Sequence, residues 1–256
     1  MTTWLKQLQL DSQNGTKRLA ALLDPDDLPT GRSWHALLDR IEASSVTDIF
    51  IGGSLLIRNN VSDMMQSIRE RFSGRITIFP GSPDQVVSGA DAVLFLSVIS
   101  GRNPDLLIGR HVESALRIRR LQIETVPTGY LLIGDGPLTT AAYMSQSMPI
   151  PSSKPEIAVA TAVAGEMLGL QVMFVDAGSG AHQPVPLKAI ASIRNQTTCP
   201  LIVGGGLNDA PSIEAAWQAG ADLVVIGSVI ENKPEDLNWL PNPVAFQRRG
   251  NSEVWN

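Results

Sequence analysis

The sequence predicts an α/β fold, a single (β/α)8 barrel, and three observations support this. The chain has 256 residues, which is typical of one such barrel. Its short apolar runs lack polar alternation, as expected for parallel strands buried on both faces. Helical stretches separate most of these runs, which indicates a closed parallel barrel. The predicted strands are 18–24, 47–53, 75–81, 92–98, 128–134, 171–178, 199–206 and 223–228.

The helical stretches follow or precede these strands without any internal boundary that would split the chain. We therefore expect one domain over residues 1–256. The final residues, 241–256, have the composition of a weakly ordered or surface-applied tail. The predicted helices lie within 28–44, 54–72, 155–169, 186–196 and 210–220.

Two connections depart from an ideal barrel. Residues 80–91 link strands 3 and 4, and proline and glycine leave little of this segment for a helix. A parallel crossover needs about a dozen residues, so we predict a shortened or missing third helix. The segment 135–155 after strand 5 is long and rich in proline, serine and methionine. Such loops are usually functional, and we expect this one to cover the active face.

Composition narrows the classes of function. The formal net charge of −5 offers no electrostatic footprint for nucleic acid. The single cysteine, Cys199, cannot form an internal disulfide and is expected to be a buried small apolar residue. The first fifteen residues lack the apolar core of a signal peptide, and no apolar run is long enough for a membrane span. We expect a cytoplasmic protein that acts on small molecules.

Three strand ends in the last third of the chain are rich in glycine: 173–180, 201–210 and 223–228. In (β/α)8 barrels the loops after strands 7 and 8, with the start of a short helix, form a phosphate site. Glycine lets backbone N–H groups approach the phosphate oxygens closely. The sequence therefore predicts a phosphorylated small-molecule ligand.

Carboxylates gather at the ends of strands 1 and 6. Asp24, Asp26 and Asp27 follow strand 1, and Mg²⁺ typically takes one or two carboxylates plus substrate phosphates. A helix-capping loop is the alternative interpretation. Ser54, after strand 2, is a candidate metal ligand, phosphate donor or helix cap. Asp176 ends strand 6 as a candidate general base, or it orients the glycine loop that follows.

Taken in order, the motifs LLDPDD, IGGSLL, FPGS, DAGSGA, PLIVGGG and VVIGSVIE resemble the geranylgeranylglyceryl phosphate synthase family. The resemblance runs from Leu22 to Glu231. It implies an Mg²⁺-dependent prenyltransferase that joins a long isoprenoid diphosphate, geranylgeranyl diphosphate above all, to sn-glycerol 1-phosphate in lipid biosynthesis. The family's barrel also has a modified third helix. A homo-oligomer is the implied assembly.

The resemblance assigns roles by position. Asp24 and Ser54 match the magnesium ligands, and Asp176 would accept the proton of the attacking hydroxyl. The residues matched to glycerol phosphate are Phe174, Val175, Asp176, Ala177, Gly178, Ser179, Gly180, Gly204, Gly205, Gly206, Gly227 and Ser228.

The chain departs from the family pattern at several of these positions. Phe174 and Asp176 stand where tyrosine and glutamate are usual, and Ser228 replaces asparagine. Leu22 and Leu23 occupy the place of a frequent lysine. These departures put in question how tightly the glycerol hydroxyls are held.

The isoprenoid tail needs a long apolar groove. We expect this groove to leave the barrel through the gap in the outer helical layer where the third helix is short or missing. Phe79, Phe95 and Tyr130 are the candidate groove residues. Two other classes stay open: a sugar-phosphate isomerase using a pair such as Asp24 and Asp135, and a non-catalytic phosphate-binding barrel.

Overall fold

Within residues 2–58, 61–232 and 234–243, which the computed structural model describes, eight parallel strands close into a barrel. Each strand pairs with the next along the chain, and β8 returns to β1, with Ala20 opposite Val225. The predicted (β/α)8 barrel is confirmed. The strands are β1 (Arg18–Leu23), β2 (Asp48–Ile51), β3 (Arg75–Ile78), β4 (Ala92–Val98), β5 (Glu124–Leu132), β6 (Val172–Asp176), β7 (Leu201–Gly204) and β8 (Leu223–Ile226).

Helices surround the barrel, and their buried faces cover the outer side chains of the strands. Local signals place their ends: Asp209 accepts a hydrogen bond from the Ser212 N–H at 2.8 Å and forms a capping box at the start of α8. The helices are α1 (Trp4–Asn14), α2 (Gly31–Ala43), α3 (Val61–Arg71), α4 (Arg110–Leu121), α5 (Thr140–Ser145), α6 (Pro155–Met167), α7 (Leu187–Gln196), α8 (Ala210–Ala219) and α9 (Ser228–Asn232).

Helix α1 was not predicted, and it closes the N-terminal end of the barrel. Trp4 is fully buried among the inward side chains of the strands. Its indole Nε1 donates to Asp48 Oδ1 at 2.8 Å. The guanidinium of Arg18 contacts Asp48 and Asp11 at 2.8 and 2.9 Å. This end of a (β/α)8 barrel usually serves stability, and here a helix seals it.

The connection between β3 and β4 contains a single 3-10 turn, Pro83–Gln85, and no α-helix. The predicted loss of the third helix is therefore confirmed. Helix α4, which follows a π-helical turn at Asp105–Gly109, packs against this 3-10 turn. The outer face of β4 is thus covered by α4 and a short turn, which leaves room for a groove.

The end of the chain lies partly outside the described residues. Pro241 accepts a hydrogen bond from the Ser45 hydroxyl at 2.9 Å, and Pro243 is buried. The start of the predicted tail is therefore applied to the surface near α2. Residues 244–256 lie outside the described part. Cys199 is buried, as predicted. No helix in the described ranges has the length and apolar character to cross a bilayer.

Candidate active site

One cavity of about 750 Å³ opens at the C-terminal ends of the strands. Its polar half is formed by the loops that follow β1, β2, β6, β7 and β8. Its apolar half runs along β4 and α4, past Phe95, Leu106 and Ile118. We call it the main cavity. A concave site that joins a polar end to an apolar channel suits a ligand with a charged head and a long tail.

Asp24 lies at the wall of the main cavity beside the loop after β2. Burial, with the charges of Asp27 and Asp26, raises the pKa of Asp24 to about 6, although the Asp26 N–H bonds to its Oδ1 at 3.0 Å. A Cβ on Gly53 would lie 2.2 Å from Asp24 Oδ2, so only glycine fits there. Ser54 follows directly, and both it and Asp24 line the cavity. The structure thus brings the two predicted metal ligands to one wall.

Asp26 has a different task from Asp24. Its carboxylate accepts hydrogen bonds from the N–H groups of Ile57 and Arg58 at 2.5 and 2.9 Å. It therefore shapes the loop that carries Ser54. All three predicted acids after β1 line the main cavity, and the Asp26 carboxylate is already bonded to the backbone of this loop.

The loop after β2 is also held by Gln85, which the sequence analysis did not identify. Gln85 is 2% exposed. Its Nε2 donates to the Gly53 carbonyl at 2.9 Å, and its Oε1 accepts from the Gly81 N–H at 3.1 Å. The side chain ties the loops after β2 and β3 together. No local sequence pattern marked it, because its partner Gly53 lies 32 positions away along the chain.

Glu231 is a second residue that the sequence analysis did not assign. It lies on α9, just after Gly227 and Ser228, and lines the main cavity. Burial, with the nearby charges of Asp27 and Asp24, raises its pKa to about 7. The three carboxylates therefore share one region of negative potential, which a cation would relieve.

Asp176 lies at the end of β6 and is 7% exposed. Its Oδ2 accepts a hydrogen bond from the Tyr130 hydroxyl at 2.5 Å, and its Oδ1 accepts from the Gly178 N–H at 2.9 Å. Burial raises the pKa of Asp176, opposed by these hydrogen bonds. Burial and the Asp176 charge raise the pKa of Tyr130 well above its ordinary value. Tyr130 therefore remains a donor, and Asp176 is a buried acceptor at the cavity wall.

The glycine loops after β7 and β8 line the main cavity, and because β8 pairs with β1, the loop after β8 lies beside the loop that carries Asp24. Gly205 and Gly206 have φ angles of +80° and +71°, which favour glycine. Within the described residues, the N–H groups of Gly205, Gly206 and Gly227 donate no hydrogen bond. The Ser228 hydroxyl reaches Asn208 Oδ1 at 3.4 Å, which links the two loops. Free N–H groups in such loops form an anion site.

Two of the predicted substrate residues do not place their side chains in the main cavity. Val175 and Ala177 lie in the outer core, and only their backbone could contact a ligand. Gly178, Ser179, Gly180, Gly204, Gly205, Gly206, Gly227 and Ser228 line the main cavity, together with Phe174 and Asp176.

The predicted groove residues are divided between two environments. Phe79 lies inside the barrel, stacked on Phe174 at 5.0 Å and 6.0 Å from the Tyr130 ring. Phe95 lies on the outer side of β4, with its ring edge-on to His111 at 4.3 Å. All of these side chains line the main cavity. Phe79, Phe174 and Tyr130 therefore form its inner apolar wall, whereas Phe95 and His111 line its outer channel.

The long segment after β5 covers part of the site, as expected. Thr140, Ala141, Met144 and Ser145 of α5 line the main cavity. A Cβ on Gly178 would lie 2.5 Å from Thr139 Oγ1, so α5 begins against the glycine loop of β6. The cover is anchored on the predicted phosphate side of the site.

The residues present fit a magnesium ion that is completed by a substrate. The donors are a carboxylate at Asp24 and a hydroxyl at Ser54, both hard oxygen ligands. No group of three or more His, Cys, Asp or Glu in the described ranges is arranged to hold a metal. Such a sparse set suits Mg²⁺, which keeps open positions for waters and phosphate oxygens.

The isomerase alternative finds no support in the geometry. Asp135 is exposed, and both of its carboxylate oxygens accept from the Ser152 N–H at 3.1 Å. It does not line the main cavity. An acid–base pair of Asp24 and Asp135 is therefore not formed across the barrel.

The fold and the site define a (β/α)8-barrel enzyme whose cavity joins glycine-rich loops and a carboxylate to an apolar channel. The sequence matches the PcrB family over residues 14–239, and the chain belongs to this family.

Similar proteins agree with this assignment. A geranylgeranylglyceryl phosphate synthase of Chitinophaga pinensis is 46% identical over 90% of this chain and 91% of its own. A protein of the same name from Pyrococcus furiosus is 36% identical over 82% of this chain and 83% of its own. The crystal structure of (S)-3-O-geranylgeranylglyceryl phosphate synthase from Thermoplasma acidophilum with sn-glycerol-1-phosphate superposes with a TM-score of 0.87. That structure is 26% identical and covers 95% of this chain and 97% of its own.

Proposed function

We propose that this prenyltransferase joins a geranylgeranyl group, from its diphosphate, to sn-glycerol 1-phosphate with the help of Mg²⁺. The relatives that carry the synthase name support the reaction class. The observation that carries the proposal is the main cavity itself. It joins the Asp24–Ser54 wall, the glycine loops and an apolar channel in one continuous space. The product is an ether-linked prenylglyceryl phosphate for lipid biosynthesis.

The glycine loops suit the phosphate of glycerol phosphate. The free N–H groups of Gly205, Gly206 and Gly227 can donate to its oxygens. Ser228, at the start of α9, adds a hydroxyl. With the phosphate held there, the glycerol hydroxyl lies toward Asp176, since that carboxylate abuts Gly205. Fixing the nucleophile in this way lowers the barrier through orientation.

Asp176 is the proposed general base. As the glycerol oxygen bonds to the allylic carbon, the carbon–oxygen bond to the diphosphate breaks and the hydroxyl proton passes to Asp176. The Tyr130 hydrogen bond holds the carboxylate in place and favours its ionised form. A carboxylate can still accept from a third donor while two are bound. Here Tyr130 supplies a phenol at the site although Phe174 lacks one.

Asp24 and Ser54, on the loops after β1 and β2, are the proposed holders of Mg²⁺. When bound there, the ion supplies Lewis-acid stabilisation of the leaving diphosphate. Asp26 and Gln85 fix the loop that carries Ser54. The isoprenoid tail then lies along Phe79, Tyr130 and Phe95, where apolar burial favours it.

We also propose a cytoplasmic homo-oligomer. Three exposed apolar side chains, spaced four residues apart, lie along the π-helical turn and α4: Ile108, Val112 and Leu116. Aligned exposed apolar residues often mark a contact surface. A second copy of the chain is the occupant that family resemblance favours, and sedimentation of the purified protein tests it.

The decisive experiment is incubation with Mg²⁺, glycerol 1-phosphate and prenyl diphosphates of fifteen, twenty and more carbons, with the products analysed by mass. We expect a prenylglyceryl phosphate that requires Mg²⁺ and the sn-1 isomer. Phosphate binding without turnover of any diphosphate would favour the non-catalytic barrel instead.

A further inference from the structure

The charged side chains that line the main cavity are mostly of one sign. Among the described residues of its wall, Arg110 is the only lysine or arginine. It lies on α4, beside the apolar channel, and pairs with Glu113 at 3.0 Å. The polar half of the cavity therefore has no cationic side chain of its own in the described ranges. The carboxylates that line the cavity are those of Asp24, Asp26, Asp27, Asp84, Asp176 and Glu231.

Glu231 lies between the predicted phosphate loop and the predicted metal ligands. Its backbone N–H donates to the Gly227 carbonyl at 3.3 Å, so it is one helical turn beyond the glycine whose own N–H is free. Because β8 pairs with β1, helix α9 packs beside the strand that ends next to Asp24. Burial and then the charges of Asp27 and Asp24 raise the pKa of the Glu231 carboxylate to about 7. The side chain is therefore close to both halves of the polar site.

The Glu231 carboxylate has no protein partner. It is half-buried, and in the part of the chain that the structure describes it accepts no hydrogen bond and forms no ion pair. Asp26, by contrast, is bonded to the loop after β2, and Asp176 is bonded to Tyr130 and Gly178. A half-buried charge near like charges is unfavourable. Folding alone therefore gives no reason for a carboxylate at this position.

We propose that Glu231 sets the order of binding, so that the metal ion enters the site before glycerol phosphate. This inference rests on the proposed function, which supplies both ligands. The carboxylate attracts a divalent cation toward Asp24, and it repels a phosphate at the glycine loops while the cation is absent. A bound divalent ion carries two positive charges, which outweigh the single charge of Glu231. The residue acts through its charge as a positioning residue, since no group of three acids in the described ranges is arranged to hold a metal.

The test measures two affinities of the purified protein at pH 8, where a carboxyl with a pKa of about 7 is mostly ionised. Calorimetry gives the Kd of glycerol 1-phosphate in EDTA, and electron paramagnetic resonance gives the Kd of Mn²⁺ without substrate. We expect E231Q to bind glycerol 1-phosphate about threefold to tenfold more tightly than wild type and to bind Mn²⁺ more weakly by a similar factor. A damaged fold would weaken both affinities, so the opposite signs identify an effect of charge.

Two further variants serve as controls. E235Q removes the same charge from an exposed residue that does not line the main cavity, and both affinities should equal those of wild type. E231D keeps the charge and should also stay near wild type. The proposal is overturned if E231Q leaves both affinities unchanged or weakens both. If wild type itself binds no glycerol 1-phosphate, with or without Mg²⁺, the proposed function fails, and that result is distinct from a failure of the binding order alone.

Discussion

Tyr130 and Asp176 form a hydrogen bond of 2.5 Å between neighbouring strands, β5 and β6, at the base of the candidate site. Both side chains are buried. The phenol stabilises the ionised carboxylate, while burial opposes ionisation. The protonation state of the proposed base therefore depends on a residue 46 positions away along the chain.

Replacing Tyr130 with phenylalanine tests this relationship. Y130F removes a hydrogen bond that lowers the pKa of Asp176, so that pKa should rise further above its ordinary value. Because the base must be ionised, the acid limb of the kcat/KM profile should move to higher pH. Y143F is the control, since Tyr143 is 69% exposed. An unmoved acid limb in Y130F would show that Asp176 is not the titrating base.

Replacing Asp24 tests whether this carboxylate holds the metal ion. D24N should lower Mg²⁺-dependent turnover by about 10²-fold or more, since the variant loses the carboxylate that would hold the ion. D135N is the control, because Asp135 is exposed and outside the main cavity. Full activity of D24N would contradict the metal assignment.

The same variant should be more thermostable without metal, and the gain should depend on pH. The pKa of Asp24 is about 6 in the fold, against an ordinary value of 3.8. Its contribution to stability is therefore full below the ordinary value and is lost as pH rises through about 6. Asparagine does not ionise, so the difference in Tm between D24N and wild type should grow between about pH 4 and about pH 6 and be constant at higher pH. A difference that does not grow across that range would refute the shifted pKa.

The phosphate loop gives a steric prediction at Gly205. Its φ of +80° disfavours any side chain, and a Cβ would lie 2.6 Å from Asp176 Oδ1. G205A should therefore displace the carboxylate and the loop, at a cost of about 1–3 kcal/mol in backbone strain. We expect KM for glycerol phosphate to rise and kcat to fall. G136A meets nothing within 4 Å and should behave as wild type in the same steady-state assay.

Much of the fold could be predicted because buried parallel strands and short connections leave a clear pattern. β5 is the strand whose start was misplaced: it begins at Glu124, not at residue 128. The added residues include Pro127 and polar side chains, and they form a strand through pairing with β4. Helix α1 was missed because its buried face consists mainly of Trp4 and Leu8, too few apolar positions to signal a helix.

The sequence could predict those site residues that directly follow a strand. Asp24, Ser54 and the glycine loops follow parallel strands, and the ends of such strands meet at one face of a barrel. The roles of Tyr130 and Gln85 could not be read in this way. Each depends on where one side-chain atom lies after packing, across 46 residues in one case and 32 in the other. No local pattern records such distances.

Gln85 provides the last prediction, a test of how the metal-side loop is held. Q85L keeps the size of this buried side chain but leaves the Gly53 carbonyl and the Gly81 N–H without their partner. Unpaired buried polar groups cost about 1–3 kcal/mol each, so the free energy of unfolding should fall by that order in urea denaturation. Because the loop carrying Ser54 loosens, the Mg²⁺ concentration for half-maximal turnover should also rise. Q66L on the exposed face of α3 controls for the substitution itself, since Gln66 is exposed and donates to the Glu70 side chain at 3.2 Å. Equal unfolding free energies for Q85L and Q66L would mean that the loop after β2 is held by other contacts.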